Sequence, residues 1–222
     1  MKRQNVIGVD LAKNVIQASV VTPAGKEQIN KAFTRKQFAE FLARQKPCLV
    51  AFEACATAHY WSRVAQSYGH SAKILPAKAV SPFRQGHKTD PNDALAVAET
   101  AQRPNIKEAP MKTIEQQGLQ AIQRSRELLI HDRTALSNHI RGLLMEFGIV
   151  IPKGFASLHR RLPEILEDGE NGLPDLYRPT LNLMHGRLIT LKADIDVLNE
   201  HIAALVKQNV ACHQLTHIEG IG

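Results

Sequence analysis

The sequence predicts a mixed α/β domain followed by a region of long helices. Three observations support this fold class: short apolar runs that alternate with helix-forming segments, acids at the ends of two of these runs, and heptad-spaced apolar residues later in the chain. The chain has 222 residues, enough for one large domain or two small ones. We predict an α/β domain over 1–110, a helical region over 111–212 and the start of a further domain at 213–222.

Five apolar runs are predicted as strands. The first and the fourth each end on an acid, and the second and third flank a turn signal that contains proline and glycine. The runs are Val6–Asp10, Val15–Val21, Gln28–Phe33, Cys48–Glu53 and Ser71–Leu75.

Three helices are predicted between and after these strands. Thr34 caps the first, which ends before Pro47, and Thr57 is a candidate cap for the second. The third opens at Asp90 and runs to about Arg103, before a proline. The order β-β-β-α-β-α-β-α, with acids at strand ends, indicates a mixed sheet.

The region after about Thr113 shows helical periodicity. Its second long segment carries apolar a and d residues over four heptads without a miss, whereas the first has Arg126 and Arg133 at two of the apolar positions. Two long helices with a small insert predict an antiparallel hairpin, a dimerising coiled coil, or both. The regular apolar positions are Leu181, Met184, Leu188, Leu191, Ile195, Leu198, Ile202 and Leu205.

The composition favours a cytoplasmic protein that binds nucleic acid. Lys+Arg total 28 against 21 Asp+Glu, a formal net charge of +7, which favours a polyanionic partner. The three cysteines form no CxxC pair and predict reduced thiols rather than disulfides or a zinc ribbon. We expect neither a signal peptide nor a membrane span, since no apolar run approaches roughly 18–20 residues.

Two carboxylates open the third helix within the stretch His87–Ala94. With Asp90 as N-cap and Asp93 at N3, the spacing puts both on one face of the helix. Acids at these positions bond free backbone N–H groups and suit the positive end of the helix dipole. Taken alone, the pair is more typical of a helix cap than of a metal site.

The acids at the strand ends change that interpretation. If the first and fourth strands are neighbours, Asp10 and Glu53 project from one edge of the sheet, and the helix opened by Asp90 brings its N-terminus to the same end. Four carboxylates repel one another unless cations lie between them, and their oxygens suit Mg²⁺ or Mn²⁺. Two such ions can drive phosphodiester cleavage. We therefore predict metal-binding and catalytic roles for Asp10, Glu53, Asp90 and Asp93.

Three motifs in combination resemble those of a known family, the DEDD transposases. These are the bacterial recombinases of insertion sequence family 110, and the chain is most similar to the 1111 branch. Ala56 departs from the pattern, since a glycine is usual there. The motifs are Ile7–Lys13, Glu53–Cys55 with Ala58–Trp61, and Lys88–Ala94 with Arg103-Pro104.

The resemblance implies a RuvC-like, ribonuclease-H-type fold, a divalent-metal site at the four acids and a coiled-coil dimerisation region. It also implies recombination of insertion-sequence and target DNA, guided by a structured bridge RNA. Family members carry a further C-terminal domain with a serine that attacks the DNA strand. That domain would begin near Gly220, so we expect this chain to lack the serine and to be partial or inactive.

Four residues near the acids are candidates for binding nucleic acid: Lys13, Arg84, His87 and Lys88. A solvated loop explains these charges equally well. Two other functions stay open at this point. One is a non-catalytic, nucleic-acid-binding dimer. The other is an ATPase or kinase of the actin-like fold, because the first motif resembles its phosphate loop, although its second phosphate motif and its adenosine motif are missing.

Overall fold

The computed structural model describes residues 4–215 and 217–220. The chain divides into two compact units, with the boundary between Thr113 and Ile114. The first unit is the predicted mixed α/β domain and the second is helical, so the predicted fold class is confirmed. The predicted segment 213–222 includes Thr216, Ile221 and Gly222, which lie outside the described residues.

Five strands form one mixed sheet in the order β3-β2-β1-β4-β5. β1 (Val6–Leu11) pairs antiparallel with β2 (Val15–Val21) and parallel with β4 (Leu49–Glu53). β3 (Glu27–Thr34) lies antiparallel beside β2, and β5 (Ser71–Leu75) lies parallel beside β4. The first and fourth strands are neighbours, which meets the condition that the sequence analysis set for bringing Asp10 and Glu53 together. The sheet is consistent with a RuvC-like, ribonuclease-H-type domain.

Helices cover both faces of this sheet, because alternate strand residues point to opposite sides. On one face, α1 (Arg35–Arg44) and α2 (Ala58–Ser67) pack on a core that includes Val9, Phe38, Phe52 and Trp61. On the other face, α4 (Asp90–Ala101) packs on a second core. The second core includes Val6, Val21, Ala51, Leu75 and Val97. A short helix α3 (Ala77–Val80) and a 3-10 turn (Ser81–Phe83), not predicted from the sequence, precede α4.

The predicted cap of α1 is correct in position and in mechanism. The Thr34 hydroxyl accepts a hydrogen bond from the Gln37 N–H at 3.3 Å, and the Gln37 side chain accepts one from the Thr34 N–H at 3.0 Å. This reciprocal capping box stabilises the helix start. Thr57 stands at the start of α2 as predicted, but its side chain makes no capping bond.

The predicted cap of α4 is wrong. Thr89, not Asp90, is the N-cap residue, and its side chain makes no capping bond. Asp90 is the first helical residue, and the Asp93 N–H makes the helical bond to the Thr89 carbonyl at 2.9 Å. Since capping does not account for the two carboxylates, their structural interpretation is weaker than the sequence indicated.

The helix α4 crosses β1 at Gly8 with no room for a side chain between them. A Cβ built on Gly8 would lie 2.3 Å from the Ala94 carbonyl oxygen, 2.3 Å from the Ala98 nitrogen and 2.6 Å from the Ala98 Cβ. Small residues on the helix and glycine on the strand therefore allow this close approach.

The second unit contains α5 (Ile114–Glu146), α6 (Phe155–Glu167), α7 (Arg178–Gln208) and α8 (Val210–Leu215). α5 and α7 form the predicted antiparallel hairpin within one chain. Ile140 and Leu144, late in α5, share a core with Leu181 and Leu188, early in α7. Among the described residues, no helix is both long and apolar enough to span a bilayer.

The arginines that interrupt the α5 heptads have partners within the chain. Arg126 donates a hydrogen bond to the Asn199 side chain on α7. The Arg133 guanidinium lies 4.9 Å from the centre of the Phe155 ring, a cation–π contact. Both residues are therefore part of the helix packing, so the irregular heptad does not weaken the hairpin prediction.

Gly8→Ala is expected to destabilise the first unit. The new methyl group meets backbone atoms of α4, so the helix must shift, and overpacking of this kind costs about 1–3 kcal/mol or more. Chemical denaturation followed by circular dichroism measures the loss. Gly186→Ala is the matched control, because a Cβ there meets nothing within 4 Å, and alanine favours the interior of α7. Equal stability of the two variants would contradict the close approach.

Candidate metal and nucleic-acid site

Asp10 and Glu53 lie at one level on neighbouring parallel strands. Gly8 pairs with Ala51 across β1 and β4, and Asp10 and Glu53 each follow two residues later. Because residues two apart share a face of the sheet, both acids lie on the face that α4 covers. The two acids therefore lie at the same end of neighbouring strands, as the sequence analysis expected if these strands were adjacent.

Asp90 and Asp93 project from the first turn of α4. Asp90 is exposed, whereas Asp93 is 9% exposed and belongs to the buried polar residues of the chain. The spacing of three places both on one side of the helix. Thus one acid of the pair faces solvent and the other is held against the domain.

The pKa of Asp10 is affected by the charges of the other three acids. Burial raises the pKa of Asp10 above its ordinary value of 3.8, and the charges of Asp93, Asp90 and Glu53 raise it further, in that order. The other three predicted residues, which come from α4 and β4, are therefore close enough for their charges to act on Asp10.

Arg84 connects the predicted nucleic-acid residues to the predicted metal ligands. Its Nε donates a hydrogen bond to the Asp93 carboxylate. The remaining candidates, Lys13, His87 and Lys88, are exposed. The loop that carries His87 is tied to α4, because Asn92 donates a hydrogen bond to the His87 carbonyl at 2.9 Å.

The carboxylates fit a divalent cation in donor chemistry. Oxygen donors of this kind are the ligands that Mg²⁺ and Mn²⁺ prefer, and the Arg84 guanidinium stands as a cation at Asp93. Within the part of the chain that the structure describes, however, no three His, Cys, Asp or Glu side chains are grouped so that they could hold a metal ion. The four carboxylates therefore form a cluster in which Asp93 is ion-paired with Arg84. In this arrangement they are not gathered around one point as the ligands of a bound metal ion would be.

The loop after Glu53 contains a strained residue. Thr57 has φ 71°, a left-handed conformation that costs a β-branched residue roughly 1–2 kcal/mol. The sequence analysis singled out the preceding residue, Ala56, because a glycine is usual there in the family motif, and it made no prediction about the backbone of Thr57.

Sequence reasoning missed two polar side chains on the same face of the sheet. Gln17 pairs with Asp10 across β1 and β2 and is 6% exposed, and it donates a hydrogen bond to Asn30. The sequence did contain a signal for them, since Gln17 and Ser19 lie two residues apart in a strand predicted to be buried. Residues with this spacing share a face of the sheet, so the pair indicates a buried polar face.

Comparison with known proteins decides the family. A model of the DEDD transposases of insertion sequence family 110, described as a transposase, matches residues 7–149. The matched range includes all four acids. The chain belongs to this transposase family.

Curated relatives of this transposase family extend the similarity along the chain. It is 37% identical over 217 residues to a probable family 20 transposase of Pseudomonas aeruginosa. It is 34% identical over 222 residues to the transposase for insertion sequence element IS1111A of Coxiella burnetii. These alignments cover 97% and 100% of this chain but 64% and 61% of the two relatives. The chain thus spans somewhat less than two thirds of their length.

Asp10→Asn is expected to stabilise the metal-free protein at neutral pH. The folded-state pKa of Asp10 is raised, so the folded protein holds this proton more tightly than the unfolded chain does, and stability falls as pH rises through 3.8 and the raised pKa. Asparagine removes that loss. In thermal unfolding with EDTA, the midpoint of the variant should exceed that of the wild type by a few degrees at pH 7, with the difference vanishing below the ordinary pKa. A lower midpoint at pH 7 would contradict the repulsion.

Proposed function

We propose that this chain carries the metal-dependent centre of an insertion-sequence transposase, with Asp10, Glu53, Asp90 and Asp93 as ligands for Mg²⁺ or Mn²⁺. One observation carries the proposal: α4 presents its first turn on the same face of the sheet as the acids of β1 and β4. The order Asp, Glu, Asp, Asp along the chain fits a family whose model is of DEDD type.

The chemistry follows from the donor set. When bound, divalent ions activate an attacking oxygen and stabilise the leaving oxygen of a phosphodiester. Asp10 and Glu53 hold their carboxylates on strands, which are rigid supports. Asp90 and Asp93 come from a helix packed against those strands. Burial and, after it, repulsion by the other acids raise the pKa of Asp10, and cations bound in the cluster would offset the repulsion.

The partners of this centre are insertion-sequence DNA, target DNA and a structured bridge RNA, and the compartment is the cytoplasm. Lys13, His87 and Lys88 are exposed, each lies within three residues of Asp10 or Asp90 along the chain, and in this proposal they bind backbone phosphates. Arg84 also binds a backbone phosphate in this proposal, once its ion pair with Asp93 is broken. Since phosphate contacts release counterions, nucleic-acid affinity should fall steeply with salt.

The second unit serves in this proposal as a homodimerisation region. The hairpin buries its apolar positions early in α7, at Leu181 and Leu188, but not late in α7, where Ile202 and Leu205 are only partly buried. Leu119 on α5 lies beside them and is 36% exposed. Apolar positions left uncovered at one end of a hairpin fit a second copy of the same hairpin.

A non-catalytic nucleic-acid-binding dimer is the second candidate. The observation that favours it is the absence, within the described residues, of a group of three side chains that could hold a metal ion. Cleavage of insertion-sequence DNA in Mn²⁺ by the full chain distinguishes the two functions. Family membership favours both over an ATPase or kinase.

Glu53→Ala and Asp90→Ala are expected to abolish Mn²⁺ binding and leave the oligomeric state unchanged. Each removes one carboxylate from the cluster, while the helical unit is untouched. Isothermal titration calorimetry with Mn²⁺ measures the first effect and light scattering the second. Glu99→Ala, at a partly buried position late in α4, is the control. Wild-type Mn²⁺ affinity in both acid variants would overturn the ligand assignment, and monomers would overturn the two-part organisation.

Arg84→Gln is expected to raise Mn²⁺ affinity several-fold and to weaken nucleic-acid binding. The substitution removes the cation that competes for Asp93 and one phosphate ligand. Calorimetry and a fluorescence binding assay measure the two effects. Arg103→Gln removes a nearby positive charge whose guanidinium lies 5.3 Å from the Phe83 ring centre, so it controls for net charge. Unchanged Mn²⁺ affinity in Arg84→Gln would contradict the competition.

A further inference from the structure

Two polar side chains of β2 are buried beneath α4. Gln17 is 6% exposed and Ser19 is fully buried. Gln17 pairs with Asp10, and Ser19 pairs with Gly8, where α4 crosses the sheet. Buried polar groups destabilise a fold unless they are hydrogen-bonded, so the partners of these side chains matter.

Asn30 of β3 is the centre of their hydrogen-bond network. Its Oδ1 accepts a bond from Gln17 at 2.7 Å, and its Nδ2 donates to Glu27 at 2.7 Å and to the Pro91 carbonyl at 3.0 Å. Ser19 donates to the same Glu27 oxygen at 2.7 Å. The orientation of the amide is determined, because a carboxylate and a carbonyl accept hydrogen bonds and cannot donate them. Both donors of the Asn30 amide and its oxygen are therefore in use.

The bond to Pro91 joins residues 61 positions apart in the chain. Pro91 lies between Asp90 and Asp93 in the first turn of α4. Through Gln17, the same amide is connected to the strand position opposite Asp10. The network thus links the sheet position of one acid to the helical turn that carries two others.

We propose that Asn30 is a positioning residue for the carboxylate cluster. Its amide holds the first turn of α4 against β3, so that Asp90 and Asp93 face Asp10 and Glu53. The inference rests on the proposed function, because it assigns the network a purpose in metal binding. Loss of residues that orient metal ligands typically lowers metal affinity about 10–100-fold.

The test separates this role from a purely structural one. Asn30→Asp removes both N–H donors and sets a carboxylate against Glu27 and the Pro91 carbonyl. Adding Glu27→Gln in the same chain supplies an amide donor to the new carboxylate, so the hydrogen bond between positions 27 and 30 within β3 returns but the bond to the Pro91 carbonyl does not. The double variant N30D/E27Q also keeps the net charge of the wild type.

The N30D/E27Q chain is expected to unfold near the wild-type temperature and to bind Mn²⁺ at least 10-fold more weakly, as measured by calorimetry. Hydrogen exchange of the Asp93 amide, bonded to Thr89 in the wild type, should be faster. Glu27→Gln alone keeps an acceptor oxygen for Asn30 and should match the wild type in all three measurements.

The outcomes separate the two hypotheses. Wild-type Mn²⁺ affinity or wild-type exchange in N30D/E27Q would overturn the role of Asn30 and leave the proposed function standing. The role of Asn30 would also be overturned if Asn30→Asp lost both stability and Mn²⁺ affinity and N30D/E27Q recovered both in full. A wild-type chain that does not bind Mn²⁺ would contradict the proposed function itself, and this inference with it.

Discussion

The close approach of α4 to β1 is the constraint on which the rest of the first unit depends. At Gly8 the helix backbone occupies the space where a side chain would be. This contact allows Ala94 and Ala98 to lie against the strand, builds the second core of the sheet, and brings the first turn of α4 beside β3. A larger residue at Gly8 would move the helix and, with it, half of the acid cluster.

The acid cluster is a source of instability that the surrounding fold offsets. Burial, and then the charges of three other acids, raise the pKa of Asp10, and Asp93 is buried beside the guanidinium of Arg84. Apolar cores on both faces of the sheet supply the compensating burial. In the proposed function, cations bound between the carboxylates would relieve this repulsion.

Part of the apolar repeat in the helical unit makes contacts within one chain. A heptad pattern specifies that two helices pack, but it does not specify whether they belong to one chain or two. Here the early part of α7 is buried against α5 and α6, whereas Ile202 and Leu205 remain partly exposed. The interrupted heptads of α5 are matched by specific partners, Asn199 for Arg126 and Phe155 for Arg133.

The sequence by itself determined the five strands and the long helices, because periodicity is a local signal. It singled out Asp10, Glu53, Asp90 and Asp93, but that β1 and β4 are neighbours was decided by the sheet topology. The sequence analysis was wrong about the N-cap of α4, which is Thr89 and not Asp90. It also missed the short helix α3 that precedes α4. Only the tertiary structure decided that Arg84 pairs with Asp93 and that Asn30 binds the Pro91 carbonyl. The first depends on the path of a loop, and the second joins residues far apart in sequence, so neither leaves a periodic pattern that can be read along the chain.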